Sequence, residues 1–132
     1  DDSYNANPGS VAAAIQTLVA QAHRSGAQAW VALGDMRELG PGAAVLHAEV
    51  GQRARDVGVA RLLTVGEMSR HAAHAFGPGG EHFVDQTALI ERLKARSDGP
   101  VLLLVKGSRG SRMDRVVDAL AGTGTEGEEH AA

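Results

Sequence analysis

Residues 101–110 read Val101-Leu102-Leu103-Leu104-Val105-Lys106-Gly107-Ser108-Arg109-Gly110: five consecutive apolar residues run straight into two cations, a hydroxyl and two glycines. An apolar run this short and without alternation is the pattern of a strand covered on both faces, which requires helices above and below a largely parallel sheet. Ala29-Trp30-Val31-Ala32-Leu33 has the same character. Arg61 to Val65 gives a further strand, and His82-Phe83-Val84 a brief one. Between these runs the apolar period changes from continuous to helical. Ser10 is placed to cap a helix with Val11, Ala14, Ile15, Leu18, Val19 and Ala22 on one stripe, and Gly26 ends it. Pro41 and Gly42 open a second helix with Leu46, Val50, Ala54 and Val57 on its stripe, closed by Gly58. Glu67 to Phe76 reads as a short helix and Gly77-Pro78-Gly79-Gly80 as a turn. Leu89, Ile90 and Leu93 mark another helix, and Met113, Val116, Val117 and Leu120 the last.

Strands alternating with helices predict an α/β fold, a Rossmann-like three-layer sandwich whose mostly parallel sheet carries helices on both faces. The 132 residues, 43% of them hydrophobic, suffice for one domain with one sizeable core. Its expected extent is 1–121, with 122–132 a flexible acidic tail holding Glu126, Glu128 and Glu129. The absence of cysteine argues against a disulfide framework or a thiolate metal site, and no apolar run approaches bilayer length. A cytoplasmic protein is expected. A formal charge of −3, part of it in the tail, leaves the body near neutral and does not favour nucleic acid as a partner. The opening Asp1-Asp2, with no methionine, reads as a piece of a longer protein.

In parallel sheets ligands bind outside the carboxyl ends of the strands, where loops meet helix amino termini. Gly34-Asp35, Gly66-Glu67, Asp85 and Lys106 to Gly110 are therefore expected along one edge. The loop from Lys106 to Gly110 has the composition of an anion cradle: glycines let backbone N–H groups approach an oxyanion, and Lys106, Ser108 and Arg109 add charge and a hydroxyl. Taken alone, it reads equally well as an ordinary charged turn. Three other patterns fail on context. Gly122 to Gly127 matches a dinucleotide fingerprint but follows a helix instead of a strand. His71 and His74 share a helix face without further ligands for a metal, and are read as a surface pair. Neither Lys94 nor Lys106 lies in a phosphate-loop pattern, so no ATPase engine is legible. His47, at the edge of an apolar stripe, reads as a packed or surface histidine before a catalytic one.

The polar opening, Asp1-Asp2-Ser3-Tyr4-Asn5-Ala6-Asn7-Pro8, precedes the first helix. Together with Leu33-Gly34-Asp35-Met36-Arg37-Glu38-Leu39-Gly40 and Val105 to Gly110, in that order, it resembles the carboxy-terminal domain of the Mur ligase family, in its D-alanyl-D-alanine-adding type. The resemblance extends from Asp1 to about Leu120 and includes His47. It implies the third domain of a three-domain, ATP-dependent carbon–nitrogen ligase of peptidoglycan synthesis, hence of cell shape and division. The other two domains would hold the uridine nucleotide and the phosphate loop with ATP and Mg2+. The implied partners are those domains, UDP-N-acetylmuramoyl-tripeptide and D-alanyl-D-alanine. By position, Asp2 matches the family's ribose-binding aspartate, with Tyr4, Asn5 and Asn7 completing a nucleotide-binding surface. Asp35, Glu38, Lys106, Ser108 and Arg109 would face the amino-acid substrate, and this chain alone would be inactive. Family members carry a strand just before the opening motif, so the sheet is expected to lack a strand here.

Two alternatives stand beside this reading. One is the equivalent domain of a sister ligase, a folylpolyglutamate synthase or another Mur type. The other is a stand-alone small-molecule-binding or signalling module on the same sheet, centred on Asp35.

Overall fold

The computed structural model describes residues 6–121 and the backbone of 126–131. The elements run α1 (Pro8–Ser25), β1 (Gln28–Leu33), α2 (Ala43–Val57), β2 (Arg61–Val65), α3 (Arg70–Phe76), β3 (Gly80–Phe83), α4 (Gln86–Lys94), β4 (Val101–Gly107), α5 (Asp114–Leu120) and β5 (Glu126–Ala131). Single 3-10 turns precede α2 at Gly40–Gly42 and α5 at Arg109–Ser111. All neighbouring strands pair in parallel, in the order β3-β2-β1-β4-β5.

The three layers follow from the alternation hidden inside the apolar runs. In β1, Ala29, Val31 and Leu33 face one way and join Val11, Ile15, Leu18, Val50, Ala54, Ala72 and Phe76 from α1, α2 and α3. Trp30 and Ala32 face the other way, with Leu89 and Leu93 of α4 and Val116 and Leu120 of α5. Both faces are therefore dry, which is why β1 and β4 carry no polar alternation. Trp30 is fully buried and anchors the second face. Its indole N–H donates to Gln28 Oε1 at 2.9 Å. The guanidinium groups of Arg61 and Arg92 lie 5.7 and 5.4 Å from its ring centroid, and both pair with Glu81.

Local chemistry shifts some boundaries from the sequence reading. Asn7, not Ser10, is the amino-terminal cap of α1: its side chain accepts from the Ser10 N–H, Ser10 Oγ accepts from the Asn7 N–H, and Pro8 takes the first helical position. The third helix starts at Arg70 instead of Glu67, because the Met68 and Ser69 amides are drawn onto a side chain from another loop. The third strand spans Gly80–Phe83, earlier than His82 to Val84, and Val84 is left 91% exposed. The largest departure is at the carboxy terminus, where a flexible tail was expected over 122–132. The backbone of Glu126–Ala131 instead pairs with β4 as β5, from Leu102↔Glu126 to Gly107↔Ala131. Strand pairing satisfies the backbone groups along the edge of β4 whatever the side chains are, so an acidic composition does not forbid it. Residues 122–125 and 132 of that expected tail lie outside the described ones. No helix among the described residues is long and apolar enough to cross a membrane.

The tightest joint between helices is α2 on α3. Gly51 is buried, and a methyl group added there would overlap the Ala72 carbonyl oxygen, a backbone atom with no rotamer to escape into. Gly51→Ala is accordingly expected to lower unfolding free energy by about 1–3 kcal/mol, the usual cost of forcing atoms into a packed joint. Urea denaturation of parent and variant checks this. An equal or higher midpoint at unchanged slope would show that the joint yields without cost.

Candidate functional site at the carboxyl edge of the sheet

Strand order reverses between β1 and β4. From β1 the chain moves outward through β2 to β3, then returns over the opposite face through α4 and continues to β5. The crevice of a doubly wound sheet lies at such a reversal, outside the carboxyl ends of the two strands that flank it. Here those ends are Leu33-Gly34-Asp35 and Lys106-Gly107-Ser108. Asp35, Lys106 and Ser108 thus lie at the strand ends that flank the reversal.

Hydrogen bonds tie the loops of this edge into one unit. The Gly34 N–H donates to the Lys106 carbonyl at 2.8 Å and the Ser108 N–H to the Asp35 carbonyl at 3.0 Å, extending the β1–β4 ladder past the strands. The Ser108 side chain is buried, and its Oγ accepts from the Arg37 N–H at 2.7 Å. Ser111 Oγ donates to the Ser108 carbonyl at 2.6 Å. A Cβ on Gly34 would lie 2.9 Å from Ser111 Oγ and 2.7 Å from Met113 Cγ, and one on Gly107 would crowd the same two side chains. Only glycine lets the two loops approach this closely.

Asp35 is half-buried and already engaged. Its Oδ1 accepts from the Ser69 N–H at 2.8 Å and its Oδ2 from the Met68 N–H at 3.2 Å, while Gly66, at φ +117°, leaves room for the carboxylate. It joins the loop after β1 to the loop after β2. Its neighbour Met36 is pinned by His47, which is 0% exposed. The ring Nδ1 lies 2.7 Å from the Ala43 carbonyl and donates to it, so Nε2 carries no proton and accepts the Met36 N–H at 3.0 Å. The packed role expected for His47 is the one observed, but its partner, eleven residues upstream, was not legible. Glu38 is exposed, with a left-handed backbone at φ +61°, and makes no ion pair among the described residues.

Lys106 stands inside β4, in register with Leu33, and is only 5% exposed. Among the described residues its ammonium has no hydrogen-bond or ion-pair partner. Burial holds its pKa below the ordinary lysine value. Arg109 is exposed at the start of the 3-10 turn. The amino terminus of α5 does not belong to the cradle, contrary to the sequence reading. Between Ser108 and Asp114 stand the 3-10 turn and Arg112, at φ +54°, whose guanidinium grips Asp114 at 3.0 and 3.1 Å. Of the nucleotide-side residues, Asn7 is occupied as the cap of α1, and Asp2, Tyr4 and Asn5 lie outside the described residues. His71 and His74 line a hollow of about 760 Å³ with Arg70 and His82. Among the described residues no group of three or more His, Cys, Asp or Glu is placed to hold a metal. His82 has its pKa lowered by burial and by Arg70, against an opposing pull from Asp35.

An all-parallel, doubly wound sheet with its polar side chains gathered at the switch point defines an α/β domain of the kind that receives a ligand at its carboxyl edge. Residues 2–109 match the family model described as "Mur ligase, glutamate ligase domain", and the chain belongs to the Mur ligase family. It is 46% identical over 127 residues to the Escherichia coli (strain K12) UDP-N-acetylmuramoyl-tripeptide--D-alanyl-D-alanine ligase, covering 95% of this chain and 27% of that protein. The protein of the same name from Buchnera aphidicola is 33% identical over 122 residues, with 91% and 26% covered. Among solved structures it is similar to MurF from Acinetobacter baumannii, with a TM-score of 0.75 at 28% identity over 91% of this chain and 27% of that one. MurF ligase from Thermotoga maritima in complex with ADP gives a TM-score of 0.64 at 26% identity, with 90% and 26% covered. The chain thus spans about a quarter of the length of its relatives.

Two outcomes test this geometry in the chain itself. Asp35→Ala should cost about 2 kcal/mol, the scale of backbone hydrogen bonds to a charged acceptor, and should speed hydrogen exchange at Met68 and Ser69. Unchanged protection there would mean the carboxylate does not hold the loop. Lys106→Met should raise the melting temperature near neutral pH by about 2–6 °C, the shift that about 1 kcal/mol produces in a domain of this size. The sign follows from the lowered pKa: in the window between it and the ordinary 10.5 the unfolded chain binds more protons, so the parent gains stability as pH rises through that window. The advantage of the variant should therefore shrink as pH approaches 10.5. A parent as stable as the variant at pH 7 would refute the cost assigned to burying Lys106.

Proposed function

We propose that this chain is the carboxy-terminal domain of an ATP-dependent ligase that joins D-alanyl-D-alanine to UDP-N-acetylmuramoyl-tripeptide in peptidoglycan synthesis. The observation that carries the reading is Lys106: a lysine only 5% exposed at the switch point, its ammonium without a partner among the described residues, on a domain of the Mur ligase family whose relatives bear that activity in their names. A cation largely withdrawn from water gains when an anion arrives, and the carboxylate of a dipeptide or the phosphoryl group of an activated carboxyl supplies one. Binding then recovers what burial costs, and the preorganised loop does not need to rearrange.

ATP and Mg2+ belong, in this reading, to the central domain of the complete enzyme, where ATP activates the tripeptide carboxyl as an acyl phosphate. The described residues offer no cluster suited to a metal, and the fit of this chain to a nucleotide would rest on Asp2, Tyr4 and Asn5. Asn7, already capping α1, supports that surface through the backbone it fixes. On the acceptor side, Lys106 holds the dipeptide carboxylate and Arg109 adds charge at the mouth. Glu38 is the better carboxylate for the incoming ammonium, because both oxygens of Asp35 are already committed to backbone amides. Ser108 shapes the loop through the Arg37 N–H. A cytoplasmic location follows from the substrates.

In the complete ligase, Lys106→Ala should lower kcat/KM for D-alanyl-D-alanine by about 10²-fold, as when a preorganised charge stabiliser is removed, and leave the KM for ATP nearly unchanged. Steady-state kinetics with each substrate varied in turn decides this. Loss confined to ATP would make the loop a nucleotide contact and overturn the assignment.

A further inference from the structure

We infer that Gln86 is a positioning residue for the anion loop, acting through the turn that joins β4 to α5; the inference rests on the reading of Lys106 and its loop given above. Gln86 is the first residue of α4, and its backbone is fixed because Asp85 caps the helix by accepting the Ala88 N–H at 2.9 Å. From there its side-chain amide reaches a loop 25 residues further along. Nε2 donates to the Ser111 carbonyl at 2.8 Å and to the Arg112 carbonyl at 3.0 Å, with Met113 Sδ at 3.8 Å. Both protons of one carboxamide are thus spent on consecutive carbonyls of a single turn.

That turn is where the loop most needs holding. Arg112 adopts a left-handed backbone that a residue with a side chain avoids, so its geometry persists only under outside constraint. The Arg112–Asp114 pair constrains it from one side, and Gln86 from α4. From the turn, contacts lead directly to the site: Ser111 Oγ holds the Ser108 carbonyl, Ser111 and Met113 pack on Gly34 and Gly107, and Gly107 follows Lys106. A glutamate in this place would set its carboxylate against two carbonyl oxygens; protonated, it could donate again.

The test uses Gln86→Met, which keeps the bulk and removes both donors, and Gln86→Glu. In this chain, amide NMR of both variants at neutral pH should show displaced signals and faster exchange confined to residues 107–113. For Gln86→Glu these should move back toward the parent as the pH falls through the glutamate range near 4.3. In the complete ligase, Gln86→Met should lower kcat/KM for D-alanyl-D-alanine by about 10-fold to 10²-fold, the scale of a small misplacement, without a matching change in KM for ATP. Unperturbed loop signals in both variants would overturn the inference. So would a displaced loop with normal dipeptide kinetics in an enzyme that Lys106→Ala cripples, and the function proposed above would then stand. If Lys106→Ala also left dipeptide kinetics intact, that functional reading would fail and the role of Gln86 in the reaction would fail with it.

Discussion

Everything at the carboxyl edge depends on how closely β1 and β4 meet where they end. Gly34 and Gly107 stand against each other, so close that a Cβ on Gly107 would sit 3.4 Å from the Gly34 Cα and would also crowd the Ser111 and Met113 side chains. With no side chains to separate them, the two loops continue the strand ladder as backbone, through Gly34 to Lys106 and Ser108 to Asp35. The strands therefore do not splay at their ends, and Lys106 is held against the body of the sheet. A larger residue at either glycine would move the whole edge, since Ser111, Met113, Ser108 and Arg37 all take their positions from this contact.

The fold was legible in the sequence because its signals are local. Five-residue apolar runs, glycines at helix ends and a proline at a helix start each report on a few neighbouring residues, and the sheet follows once they alternate. The boundaries that moved did so under long-range forces. Glu67 to Ser69 have a helical composition, but Asp35 claims the amides of Met68 and Ser69 from 33 and 34 residues away. The strand pairing of Glu126–Ala131 was hidden for a related reason: an edge strand is recruited by backbone groups, and its side chains need not advertise it.

The placement of the candidate residues was legible where their partners were not. Topology places Asp35, Glu38, Lys106, Ser108 and Arg109 on one edge, as expected from the ends of the strands. Composition could not say that Asp35 and Ser108 are engaged within the fold while Lys106 has no partner among the described residues, because that depends on partners far away in sequence. Nor could it reveal His47 or Gln86. Both act on backbone groups of loops they do not belong to, and neither lies in a pattern that marks chemistry.

The burial of Lys106 also has a consequence for chemical reactivity. The chain contains two lysines, Lys94 and Lys106. Lys94 is exposed at the end of α4, with its amine in water. Burial lowers the pKa of Lys106 from the ordinary lysine value, so at mildly alkaline pH it carries a larger share of free amine than an ordinary lysine, the form that attacks electrophiles. Access runs the other way, since only a narrow reagent reaches a side chain this buried. A small acylating or aldehyde group would therefore select Lys106 and a bulky one Lys94, which makes the size of an electrophile a gauge of how open this edge is.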